Sequence, residues 1–92
     1  MSNVDEMIAL VTKEPKQDGG DFRGFDLNGI SLNGASFIFA TVAEVIMDES
    51  QLLDIDFSQA NMEKSSMKNA KIKNVNFSGS NLEDVNFEGT TL

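Results

Sequence analysis

Cut every five residues from Gly20 onward, the chain places a large apolar side chain at the centre of fifteen consecutive units without one insertion. The centres run Phe22, Leu27, Leu32, Phe37, Val42, Met47, Leu52, Phe57, Met62, Met67, Ile72, Phe77, Leu82, Phe87 and Leu92. Residues 20–92 hold 25 residues of the set Val, Ile, Leu, Met and Phe, and this one register takes 15 of them. Six more (Phe25, Ile30, Val45, Ile55, Val75 and Val85) lie two residues before a centre, where the other units carry small residues such as Ala40, Ala60 and Ala70. A period of five suits neither an α-helix nor a β-strand, whose side chains repeat every 3.6 and 2 residues. It suits a coil of equal sides, each turning one large and one small residue inward, with Asn, Asp, Gly and Ser in the intervening turns.

The number of sides follows from volume matching. With four sides per coil, vertical neighbours are 20 residues apart, which aligns Phe37, Phe57 and Phe77 in one column and Leu32, Leu52, Ile72 and Leu92 in another. Matched shapes up a column are what close packing of an interior requires. Residues 20–92 then make about 3.65 coils, roughly 17 Å tall at the spacing of neighbouring strands. Residues 1–19 read as a separate cap and linker. Asn3 and Glu6 suit a capping box, Val4, Met7, Ile8 and Val11 fall on one helical face, and Pro15 with Gly19-Gly20 ends the helix.

The units Ala60-Asn61-Met62, Ser80-Asn81-Leu82, Val85-Asn86-Phe87 and Ile55-Asp56-Phe57 resemble the A(D/N)LXX pattern of the pentapeptide-repeat family. The resemblance covers residues 20–92. It implies an all-β solenoid, a right-handed quadrilateral parallel β-helix, here with a short N-terminal capping helix. Phe25, Ile30 and Ile55 are large where the family prefers Ala, and Ile46 stands in place of the usual Asp or Asn, so the first two coils are expected to be wider or locally distorted.

Composition narrows the chemistry. The 92 residues include no Cys and no His, which removes disulfides, thiolate metal sites, the commonest metal ligand and the usual general base near neutral pH. No cofactor, metal or catalytic residue is expected. A formal charge of −8 argues against direct nucleic-acid binding, and no apolar run is long enough to span a bilayer. The acidic start, Met1 to Glu6, is unlike a basic signal-peptide terminus and reads as cytoplasmic. Ser65-Ser66-Met67-Lys68 matches S-x-x-K without its companion motifs, and Asp54-x-Asp56 begins like a calcium loop whose later positions are wrong. Both are read as solenoid positions.

Three groups remain as interaction candidates. Ile38, Phe39, Ile46 and Leu53 are outward apolar residues within one coil and suggest a partner-binding patch, unless the N-terminal helix lies across them or residues 41–53 form a local helix. Lys64, Lys68, Lys71 and Lys73 form a basic patch, either a docking site for an acidic partner or phosphate, or a solvated balance to nearby acids. Thr90, Thr91 and Leu92 end the chain in an uncapped coil, which suggests a homodimer stacked end to end or a piece of something longer. The functional reading is a non-enzymatic protein–protein interaction module or scaffold, with the partner unspecified. The alternative, implied by the resemblance, is an acidic DNA mimic of the kind that docks on DNA gyrase and protects it from quinolones. Only an end-to-end dimer would reach about one duplex turn of ~34 Å.

Overall fold

A computed structural model describes residues 1–91, and Leu92 lies outside the described residues. Helix α1 spans Asn3–Lys13, and three short strands follow: β1 (Ser31–Asn33), β2 (Gln51–Asp56) and β3 (Lys71–Asn76). They form one parallel sheet in the order β1-β2-β3, with Leu32 opposite Leu52 and Leu52 opposite Ile72. On the other sides single rungs pair at the same offset of twenty: Asp21 with Thr41, Thr41 with Asn61, Ile46 with Ser66, Ser36 with Asp56. Each coil thus hydrogen-bonds to the next around a four-sided prism. The extents are 31 × 24 × 24 Å.

The four sides are numbered by their centres. The first carries Phe22, Val42, Met62 and Leu82, and the second Leu27, Met47, Met67 and Phe87. Leu32, Leu52 and Ile72 belong to the third, and Phe37, Phe57 and Phe77 to the fourth. The centres from Phe22 to Ile72 are all buried. The phenylalanine column stacks as its spacing predicts, with ring centroids 5.3 Å apart between Phe37 and Phe57 and 5.8 Å between Phe57 and Phe77.

At every corner the residue two past the centre has left-handed backbone, with φ between 54° and 80° from Gly19 through Gly89. In most of these turns the amide three residues past the centre donates to the centre's carbonyl, as Phe25 does to Phe22 at 3.0 Å. This is the geometry of a type II turn, whose third residue needs positive φ. The bond is made to Phe25 and Ile30, and Ile55 follows the same left-handed corner at Asp54, so large residues at the second inward position leave the register intact. Phe25 sets its ring edge-on to Phe22, and a side chain at Gly20 would strike the Phe22 ring at 2.7 Å. Small and large inward residues therefore trade volume between neighbouring units.

Two expectations for the N-terminal segment change. The helix is capped by Ser2, whose hydroxyl accepts from the Asp5 amide at 3.1 Å. Asn3 instead reaches across to accept from the Asp26 amide at 2.8 Å, because the helix start is anchored to the first coil and not to itself. The ladder also begins before Gly20: Lys16 pairs with Ser36, and the Gln17 amide bonds the Ser36 carbonyl. Met7 is 1% exposed and joins the core cluster, with Val4 and Val11 partly buried beside it. The helix closes the first end of the stack. Residues 41–53 keep the five-residue register, with rungs at Thr41 and Ile46 and strand β2 from Gln51, so the local-helix alternative falls away.

Candidate interaction surface

Asp or Asn before a centre braces its own corner. Its side-chain oxygen accepts the amide two residues on, as Asp21 does from Arg23, Asn61 from Glu63 and Asn81 from Glu83 on the first side. Such Asx turns explain why the pattern favours Asp and Asn at that position. Where Ser replaces them, the coil above supplies the acceptor: Asp18 takes the Ile38 amide and the Ser36 hydroxyl, and Asp48 takes the Lys68 amide and the Ser66 hydroxyl. The third side is built otherwise. Ser31, Gln51 and Lys71 hold the bracing position there, and β2 and β3 pair on both flanks of corners that still turn through left-handed Asp54 and Asn74.

Charge divides along the same lines. The first side sets five acids against Arg23 and Lys64, and the second sets Asp26, Asp48, Glu49 and Glu88 against Lys68, each a net −3. The third side holds Lys71 and Lys73 against Asp54, a net +1 on a chain of −8. Arg23 crosses the buried Ala43 to reach Glu44 at 3.4 Å and Glu63 at 3.8 Å, one and two coils away.

The four apolar candidates do not share a patch, because one coil runs around all four sides. Ile38 and Phe39 sit at the end of the fourth side, Ile46 lies on the second, and Leu53 on the third. Phe39 is 69% exposed and Ile46 41%, whereas Ile38 and Leu53 are half-buried. Helix α1 does not cover Phe39 or Ile46. The lysines divide for the same reason: Lys64 on the first side, Lys68 on the second, and only Lys71 and Lys73 on a common side. Thr90 donates its hydroxyl to the Met67 carbonyl at 2.7 Å, and Thr91 pairs with Lys71. Leu92, the third end-stacking candidate, lies outside the described residues. Ser65 points inward, 1% exposed, while Lys68 is exposed, so the S-x-x-K match brings no hydroxyl to an amine.

What the fold does bring together is Leu53, Lys71, Lys73 and Thr91, drawn from all three candidate groups. They line an open groove of about 700 Å³ on the outer face of β1–β3, with Ser31, Asn33 and Gln51 completing its polar edges. Sequence reasoning missed Ser31, Asn33 and Gln51. The signal was present in the twenty-residue spacing, read along outward columns instead of inward ones. Among the described residues no group of three or more Asp and Glu is placed to hold a metal ion. No described helix is long and apolar enough to cross a membrane.

A family model for pentapeptide repeats matches residues 50–89 in eight copies. No curated protein sequence matches the chain. Among solved structures it is similar to HetL, a pentapeptide repeat protein involved in heterocyst differentiation regulation in the cyanobacterium Nostoc sp. strain PCC 7120. That match has a TM-score of 0.55 at 19% identity and covers 82% of this chain and 39% of that one. A pentapeptide repeat protein of the Arabidopsis thaliana thylakoid lumen matches with a TM-score of 0.50 at 25% identity, over 86% of this chain and 63% of that one. QnrB1, a plasmid-mediated fluoroquinolone resistance protein, matches at a TM-score of only 0.40 with 20% identity, over 82% of this chain and 44% of that one, a likeness too slight to bear on function. The chain spans less than two thirds of each of these structures. Residues 50–89 carry eight pentapeptide repeats, and the same register runs from Lys16 to Thr91 in a chain folded, like these pentapeptide repeat structures, as a right-handed quadrilateral β-helix.

Proposed function

We propose that the chain is a non-enzymatic protein-interaction module that presents a rigid prism side to a partner. The observation that carries this reading is the third side: a three-strand sheet whose outer face is grooved, partly apolar at Leu53, and opposite in charge to the rest of the chain. Corners braced on other sides and an interior filled by stacked centres supply a preorganised surface, which lowers the ordering cost of binding. The absence of His and Cys from the sequence leaves little for acid–base or nucleophilic chemistry near neutral pH.

The test is a photo-crosslinking scan in extract of the source cells, with a photoreactive residue placed in turn at Arg23, Glu49, Leu53 and Ser78, one on each side. A discrete adduct from one side supports the module reading. No adduct from any side overturns it. The second reading, an acidic mimic of duplex DNA formed only by an end-to-end dimer, draws on the net −3 of two adjacent sides. Inhibition of gyrase supercoiling by the purified chain, abolished by neutralising Glu44, Glu49 and Glu63, is what that reading requires.

A further inference from the structure

We propose that the third side receives an extended acidic segment of a partner protein, one apolar side chain of which seats beside Leu53 while its carboxylates meet Lys71 and Lys73. The proposal rests on the interaction-module reading and names the partner's chemistry. Charge is the first support. Lys64 stands in a column with Glu44 and Asp84, and Lys68 in one with Asp48 and Glu88. The columns of Lys71 (Ser31, Gln51, Thr91) and Lys73 (Asn33, Leu53) contain no acid. Among the described residues the ion pairs are those of Arg23, and neither third-side lysine takes part. Asp54, at the corner, accepts from the Asn74 amide group at 2.6 Å. Two exposed ammonium groups therefore face outward from one strand without a carboxylate in their own columns.

Geometry is the second support. Lys71 and Lys73 are two residues apart on β3, hence roughly 7 Å apart along the strand, and Leu53 lies one rung of about 4.8 Å from Lys73. An extended peptide repeats its side chains on one face at the same interval, so carboxylates two residues apart match the two lysines. Leu53 is half-buried in the groove and offers an apolar contact that a phosphate backbone has no group to use. A long polyanion would also meet the net −3 of the adjoining second side, which a short peptide avoids.

The experiment is fluorescence anisotropy with the full chain and a fluorescein-labelled peptide of four glutamates, one leucine and two glutamates, which puts the leucine on one face with two glutamates two residues apart, at low and high salt. Three competitors are added: the same peptide with serine in place of leucine, its all-lysine counterpart, and a short DNA duplex. The expected result is binding that Lys71→Glu with Lys73→Glu weakens by about tenfold or more, while Lys64→Glu with Lys68→Glu changes it by less than about twofold. The serine peptide should compete less well than the leucine peptide. Equal losses in the two double variants, equal competition by the serine peptide, or stronger competition by the duplex would each overturn the proposal, as would no binding at all. Thermal unfolding of both double variants checks that the fold survives, and Lys71→Gln with Lys73→Gln repeats the test without charge reversal. An adduct from another side in the crosslinking scan, with no peptide binding here, would sink this assignment and leave the module reading standing.

Discussion

The first and third sides of the prism are opposite one another, share one interior and are held in different ways. On the first side the rungs are single pairings, and each of three corners is closed by its own Asp or Asn. On the third side the bracing positions are Ser31, Gln51 and Lys71, and β2 and β3 pair on both flanks of the left-handed corner. The inward residues are of one kind on both sides: Val42 and Met62 on the first, Leu52 and Ile72 on the third, all buried. The lesson is that the five-residue unit fixes the inside and leaves the outside free. A side that gives up its Asx braces is held by consecutive strand pairs between its corners, and its outward positions become available for Leu53, Lys71 and Lys73.

That comparison can be broken first at its shared part. Phe57 is 1% exposed and stacks on a ring above and below, so Phe57→Ala should cost about 3–5 kcal/mol by chemical denaturation. A loss under about 1 kcal/mol would mean that the column is not a packed interior common to the sides. The difference between sides comes next. Asn61→Ala removes the acceptor of the Glu63 amide on the first side and should cost about 1 kcal/mol, while Gln51→Ala at the equivalent position of the third side should cost about 0.5 kcal/mol or less. Equal effects would erase the distinction between braced and unbraced corners.

The smallest effect concerns a corner geometry that every side shares. Phe39 has φ of 60° and is 69% exposed, the one apolar side chain among the left-handed corner residues. Phe39→Gly relieves left-handed crowding and should raise stability by about 0.5–1 kcal/mol, net of the added freedom of the unfolded chain. A thermal midpoint that falls instead would show that the ring packs on its neighbours and is not simply tolerated.

Much of this fold is legible in the order of residues alone. The phenylalanine column, the buried Leu32, Leu52 and Ile72, and the inward Ser65 all follow from counting in fives and twenties. The surface is less legible. Ile38, Phe39, Ile46 and Leu53 look like a cluster when read along the chain, and so do the four lysines, yet each stretch wraps around several sides of a coil. The helix cap is displaced by one residue because Asn3 finds a better use at the Asp26 amide, a contact between segments that no local motif encodes.

Which residues face inward, the offset of twenty between neighbours and the sign of the net charge are all carried by the order of residues. These depend on apolar period and composition, which are properties of the chain read in order. That Leu53, Lys71, Lys73 and Thr91 meet on one side, and that Asn3 anchors α1 to the Asp26 amide, comes from closure of the coil. The reason is physical: burial is specified residue by residue through hydrophobicity, whereas company on a surface is specified by closure of the coil, which joins residues twenty apart and separates those that are adjacent.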